Sequence, residues 1–399
     1  MSFDHALRLA VERAPALEAR RSRTLAARED AARAAALPDP KLTLGIDNWP
    51  ATGTDAFDLR ADDMTMKRIG VMQEFPARAK RQARQAVADR TIEQAEALSS
   101  AEQQAVRKAT AEAWIALWAA EREVETLNTL REQSTLAIRL SRARLANGVG
   151  TATDTLAAQA SALDLDNRID AAQASVEAAQ STLARWLGQE PAALATLGAP
   201  PELTVLPVGE ATLLGSVDRH APLLPWRSRE AIAEAEVALA SAEKRPDWSL
   251  GASYGQRDRA PSGAPRSDML MIEFAISLPL FAANRQDRGV AARRAELHAV
   301  TASREDARRA QLEAVRRALA EWNGLKRQIA RREQETLPLA HDRSRTAIAS
   351  YGGGGELQPW LEARRDELEL HTEHTRQLGD LGRAWASLAY LLPDGEATP

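Results

Sequence analysis

Hydrophobic residues recur along the chain with two distinct periods. Leu312, Val315, Leu319, Trp322 and Ile329 follow spacings of three and four, with Lys326 the one polar interruption, and Leu378, Leu381, Trp385, Leu388 and Leu392 repeat the pattern. Such spacing lines one face of a helix, as in a coiled-coil seam. Elsewhere the period falls to two. Trp248, Leu250, Ala252 and Tyr254 alternate with Asp247, Ser249, Gly251 and Ser253, and Leu270, Ile272, Phe274, Ile276 and Leu278 alternate with smaller or polar neighbours such as Glu273 and Ser277. This predicts strands with one apolar face. Leu42, Leu44 and Ile46 mark a third strand, and 64–75 a fourth, less regular one. The stretches 50–62 and 257–267, rich in Pro, Gly, Asp and Ala, read as loops that join the strands into two hairpins. Between 77 and 146 there is neither proline nor glycine, which allows one helix on the order of 100 Å long at roughly 1.5 Å per residue.

These elements occur twice. Ala14-Pro15, Arg21-Ser22-Arg23 and Pro40-Lys41-Leu42-Thr43-Leu44-Gly45 recur as Ala221-Pro222, Arg227-Ser228-Arg229 and Pro246-Asp247-Trp248-Ser249-Leu250-Gly251. Asp63-Met64-Thr65-Met66 corresponds to Asp268-Met269-Leu270-Met271, and Asn147-Gly148-Val149-Gly150 to Tyr351-Gly352-Gly353-Gly354. A first repeat over 1–207 is therefore expected to hold a helix, strands at about 41–49 and 64–75, a long helix at 77–146, a glycine tip at 147–153, a return helix at 154–188 and a linker. A second over 208–399 holds a helix, strands at about 247–256 and 268–279, a long helix at 282–350, a tip at 351–356 and a return helix at 357–392. Fixed-period self-similarity of this kind outweighs any short motif.

Composition narrows the function. Lys plus Arg total 52 against 56 Asp plus Glu, a formal net charge of -4, and without a cationic excess no nucleic-acid partner is expected. Aromatics are 4%, a composition suited to long helices. Cys is 0, which removes disulfides, thiolate metal sites, cysteine nucleophiles and a lipidated cysteine anchor. No stretch reads as a signal peptide or as the roughly 18 apolar residues of a membrane-spanning helix. No acid, base and nucleophile come together in the sequence, and the glycine tetrad lacks the Lys-Ser/Thr of a phosphate loop, so neither an enzyme nor a cofactor is expected. Four strands with an apolar face suit a transmembrane barrel, but small barrels need about eight, and an open edge in lipid leaves backbone groups unpaired. A membrane placement thus requires several copies. The same period also fits half-buried strands of a soluble coiled-coil scaffold, which is the alternative from another class.

The duplicated plan, the Leu37-Pro38-Asp39-Pro40-Lys41-Leu42 lead into a strand and the Met66-Lys67-Arg68-Ile69-Gly70-Val71-Met72-Gln73-Glu74-Phe75-Pro76 segment resemble the TolC-type outer membrane efflux family, and within it the heavy-metal branch. The resemblance implies a mainly helical fold with a β-barrel portion. In it a homotrimer forms a 12-stranded outer-membrane barrel, in contact with outer-membrane lipid, that continues into a periplasmic α-helical barrel. It also implies a periplasmic adaptor and an inner-membrane pump as partners, and a passive role in exporting heavy-metal cations or, alternatively, drugs and other organic compounds. An export signal is expected of such a protein, and the sequence begins with the first repeat.

On this resemblance Asn147, Gly148, Val149 and Gly150 form one adaptor-docking tip and Tyr351, Gly352, Gly353 and Gly354 the other. Asp154 and Glu362 are gate candidates, because carboxylates repeated around a trimer axis favour cations at a constriction; otherwise Asp154 is a helix N-terminal acid and Glu362 a solvated one. Met64, Met66, Met269 and Met271 suit monovalent copper or silver as thioethers, but their spacing by two is expected to supply the apolar strand face. His371 and His374 are expected as surface histidines rather than a metal site.

Overall fold

The computed structural model describes residues 1–393. They form two compact units, one made of Met1–Arg21, Leu98–Leu224 and the chain from Asp306 onward, the other of Ser22–Ala97 and Pro225–Glu305.

The chain opens with α1 (Phe3–Arg13) and α2 (Pro15–Ala34). They are separate helices because Ala14, preceding a proline, is extended at ψ 118°, as the ring of Pro15 demands. Pro15 then serves as the first residue of α2, where its missing amide costs nothing. Strands β1 (Lys41–Asp47) and β2 (Met66–Phe75) lead into α3, which runs unbroken over Arg78–Ala146. Next comes α4 (Ala152–Leu187), ended by Gly188 in the left-handed conformation at φ 62°, the usual glycine stop. The short α5 (Glu210–Gly215) precedes α6 (Leu224–Ala242), strands β3 (Trp248–Gln256) and β4 (Met269–Ile276), α7 (Gln286–Arg331), α8 (Leu337–Gly352) and α9 (Gln358–Ala389).

The long helix expected over 282–350 is not continuous. A 3-10 turn occupies Ala282–Asn284, and a π turn over Arg332–Thr336 separates α7 from α8. In that turn the Leu337 amide reaches five residues back to the Arg332 carbonyl. Pro338 supplies the reason: it has no N–H for the carbonyl of Gln334 and its ring crowds that turn, so the ladder widens by one residue.

The first unit is built around aromatic and aliphatic side chains of α1, α3, α4, α7 and α9, with Phe3 edge-on to Trp114 at 5.4 Å and to Trp385 at 6.2 Å. Gly382 of α9 sits where a Cβ would collide with Ile115 of α3, so glycine is what lets these helices approach there. The polar interruption at Lys326 is explained as well: its ammonium lies 4.1 Å from the centre of the Trp322 ring.

The second unit holds one antiparallel sheet in the order β1-β2-β3-β4. Its register lines up Leu42, Val71, Ala252 and Ile272 on one face, and Leu44, Ile69, Tyr254 and Leu270 beside them. This face is apolar and exposed, with Leu44, Leu270 and Ile272 each more than 70% accessible. The edges, β1 and β4, each pair on one side only. The opposite face carries Thr43, Asp47, Arg68, Ser253 and Glu273, and with them Met66, Met72, Met269 and Met271. The methionines expected on the apolar face are therefore on the polar one, because strand pairing, which the alternation alone leaves open, sets their parity opposite to Leu42 and Ile272. Met64 precedes β2 in the loop.

Candidate functional site

The glycine turns come from helix-stop chemistry. After α3, Gly148 adopts φ 70°, a left-handed value that only glycine reaches without strain. The amides of Val149 and Gly150 both return to the Arg144 carbonyl at 3.0 Å. Gly150 is constrained differently, since a Cβ there would stand 2.9 Å from the Arg144 Cβ. Thr151 then caps α4: the Asp154 amide donates to the Thr151 hydroxyl at 3.0 Å, and the Thr151 amide donates back to the Asp154 carboxylate at 3.3 Å. This reciprocal pair is a capping box. It gives the Asp154 carboxylate a helix-start role in the single chain.

The second turn has no equivalent. Gly352 is the last residue of α8, Gly354 takes φ 110°, and the amides of Gly353, Gly354 and Gly355 fold back onto carbonyls at 349–351. Gly355, inside the expected 351–356 tip but not among its four docking residues, is the tightest position of this turn, because a Cβ there would meet the Ser350 hydroxyl at 2.8 Å. Leu357 begins α9 without any side-chain cap.

Both turns lie in the first unit, and Arg144 joins them. Its guanidinium donates to the Tyr351 carbonyl, lies 4.5 Å from the centre of the Tyr351 ring, and reaches the Val149 carbonyl at 3.4 Å. Tyr351 is fully buried among Ala137, Ala158, Leu357 and Trp360. Burial pushes its hydroxyl pKa upward and the Asp154 charge adds to that, while Arg144 opposes it. Glu362 is exposed and accepts from Gln358 within its own helix at 3.0 Å.

Beneath the second turn lies a charged network that periodicity did not signal. Arg364 and Glu367, with side chains 1% and 0% exposed, pair at 2.8 Å. Arg364 also donates to the Leu130 carbonyl at 2.6 Å and to Gln133 at 3.0 Å, tying α9 to α3. His341 of α8 lies 3.0 Å from the other Glu367 oxygen. Burial alone would raise the Glu367 carboxyl, but hydrogen bonds from His341, Arg364 and Ser344 together with the Arg364 charge hold it below the ordinary carboxylate range. A carboxylate with several donors stays ionised even when buried.

His371 and His374 are only partly exposed. Both are half-buried and burial lowers both pKa values, and His374 lies 3.5 Å from Glu333 of the π turn. Among the described residues no three His, Cys, Asp or Glu converge closely enough to share a metal ion. The polar sheet face offers thioethers instead, with Met72, Met271 and Glu273 around a shallow cavity floored by Gly70 and Gly251. No helix among the described residues is long and apolar enough to cross a membrane.

A helix-rich chain with an exposed apolar sheet has the fold of outer-membrane channels. The channel OprN matches it with a TM-score of 0.81 at 19% identity, over 99% of this chain and 91% of that one. CusC, described in terms of folding and transmembrane channel formation, matches with 0.80 at 14%, over 98% and 92%. The outer membrane protein VceC from Vibrio cholerae matches with 0.75 at 21%, over 97% and 94%. The outer membrane efflux protein family profile matches residues 6–189 and 219–392, and the chain belongs to that family. None of the curated proteins matches it by sequence.

Proposed function

We propose that the protein is the passive exit duct of a tripartite efflux system, working as a homotrimer in the outer membrane with a periplasmic adaptor and an inner-membrane pump. The observation that carries this reading is the four-stranded sheet, apolar and exposed on one face with an open edge at either side. Three copies joined edge to edge make a closed barrel of 12 strands, which satisfies every edge that lipid cannot. Substrate enters where the adaptor meets the tips, around Asn147, Gly148, Val149 and Gly150 and around Tyr351, Gly352, Gly353 and Gly354, and leaves through the barrel. Asp154 and Glu362 remain gate candidates, since trimer symmetry turns each into three carboxylates at one level.

The cargo we propose is a heavy-metal cation. The sequence resemblance supports it, and so do the thioethers of Met66, Met72, Met269 and Met271 among carboxylates on the face that a barrel would turn inward, since thioethers suit soft monovalent cations.

Three measurements test this reading. Protein extracted from outer membranes should run as a trimer in detergent, and a monodisperse monomer without detergent would overturn the duct. In cells lacking other exit ducts, expression with the cognate pump and adaptor should lower cell-associated silver or copper. Unchanged metal with faster loss of an organic dye would replace the cargo and keep the duct. Gly148→Val should abolish export while the trimer persists, because a β-branched residue at φ 70° strains the tip by about 1–2 kcal/mol.

A further inference from the structure

At one end of the sheet, the apolar face finishes in aromatic side chains. Phe75 and Trp248 stack with centroids 4.1 Å apart, and Phe274 lies 5.9 Å from Trp248. The chain leaving β4 continues this surface through Leu278, Leu280 and Phe281, the last two 76% and 80% exposed. Aromatic rings at strand ends mark the level of lipid headgroups in a barrel.

The residues that follow are basic where helix electrostatics would place acids. The first turns of α3 carry Arg78, Lys80, Arg81 and Arg84 with no acidic residue among 78–84. Cations at a helix N-terminus oppose the macrodipole, so helix electrostatics gives no reason for them. Lys244 and Arg245 at the end of α6 and Arg285 and Arg288 around the start of α7 add to the set. Of these, Lys80 is committed to Asp247 at 2.7 Å and Lys244 to Asp287.

A cavity of about 460 Å³ opens among them, with Arg84, Arg245 and Arg285 on its polar side and Leu278, Leu280 and Phe281 on its apolar side. Its two acids do not neutralise it. The Asp247 carboxylate is taken by Lys80 and by the Ala77 amide at 2.8 Å, which leaves Glu243 against three arginines. Gln286, also in the wall, has a buried side-chain carbonyl oxygen with no partner.

We propose that this cavity binds the headgroup of an anionic phospholipid, of the phosphatidylglycerol type. The phosphodiester sits among Arg84, Arg245 and Arg285, a turn of the Gln286 amide brings its unpartnered oxygen out to accept from the glycerol hydroxyl, and the acyl chains run along Phe281, Leu280 and the apolar sheet face. The inference rests on the membrane placement proposed above for that face, and adds that one lipid chemistry is selected.

The test uses the full chain in nanodiscs and in neutral detergent, with native mass spectrometry to count retained lipid. Wild-type protein should retain phosphatidylglycerol over phosphatidylcholine by at least about tenfold, in line with the pull of several basic side chains at an anionic membrane surface. The preference should fall several-fold between about 0.05 and 0.5 M salt. The triple variant R84Q/R245Q/R285Q should lose most of it, while R316Q, a change in the other unit, should keep it. Circular dichroism checks that the triple variant is folded, and R84Q and R285Q alone should each give part of the loss. Equal retention of the two lipids in nanodiscs that do form would overturn the inference and leave the membrane reading standing. Displacement by inorganic phosphate would also overturn it, by showing a free-anion site. Failure to enter nanodiscs of either lipid would overturn the membrane placement itself.

Discussion

Both glycine turns are closed by backbone bonds to the helix before them, but the turn at 147–151 adds a side-chain capping box, whereas the turn at 352–357 has none and leans on side chains from outside it. In the first, a left-handed glycine and the Thr151–Asp154 capping box close the connection within a few positions. In the second, four glycines and an uncapped Leu357 contribute little stiffness, and order comes from Tyr351 buried under Arg144 and from the Arg364–Glu367 pair below. Glycine-rich backbone has the most conformational entropy to lose, so its shape must be fixed by tertiary contacts. A turn of the first kind behaves as a rigid fixture, and one of the second kind is released when its supports are removed.

Four changes test this contrast. The largest effect is expected from Glu367→Gln, which leaves the Arg364 guanidinium buried without its counter-ion. Removing one partner of such a pair costs about 3–5 kcal/mol, read as a lower melting temperature with faster hydrogen exchange over 337–371 than over 147–158. Equal acceleration in both segments would erase the distinction. Arg144→Ala comes next. Loss of its hydrogen bond to the Tyr351 carbonyl and of its stacking on the ring should cost about 2 kcal/mol locally, so exchange at 351–356 should rise by well over tenfold while the capped turn changes less.

Thr151→Ala reverses the direction of the test. It removes one half of the capping box at a cost of about 1 kcal/mol, and the opening should be confined to 147–155. The smallest effect is expected from pH. His371 and His374 have pKa values depressed by burial, so the unfolded chain binds their protons first, near the ordinary value of about 6.5. Stability from these residues is complete above that pH and declines as pH falls toward their lower folded values. Melting temperature should therefore decrease between about pH 7.5 and 5.5, and H371Q/H374Q should flatten the slope. Glu367, also depressed, adds a second loss at lower pH, as acid protonates it through its folded value. No histidine occurs in 137–158, so exchange there should not follow the first phase.

Much of this architecture was legible in the sequence because it is set by local chemistry. Alternation at Leu42–Ile46 and Leu270–Ile276 marks strands, and Asn147-Gly148 marks a helix stop, whatever lies around them. Long-range pairing was not legible. Whether Met66 and Met271 share a face with Ile272 depends on register, and a one-residue slip inverts the answer. Arg144 and Tyr351 are separated by 207 positions, and nothing near either announces the other. Arg364 and Glu367 sit three apart, a spacing that on most helices means an exposed ion pair. Only the packing of α8 and α3 against α9 makes it a buried one. The break at Arg332–Thr336 had a visible cause in Pro338, but proline indicates an interruption without specifying its form.

That π turn changes how the seam through α7 must be counted. One residue inserted into a helix rotates everything beyond it by about 100°, the angle of a single residue at 3.6 per turn. The sequence of apolar positions that runs through Val315, Trp322 and Ile329 therefore does not extrapolate into α8; its phase is reset, and the reset is what brings Ser344 and Tyr351 to the buried side. Length in this segment is consequently information. A relative that lacks the extra residue would carry its tip tyrosine at a different azimuth, and aligning the two by residue type alone would conceal a rotation of more than a quarter turn.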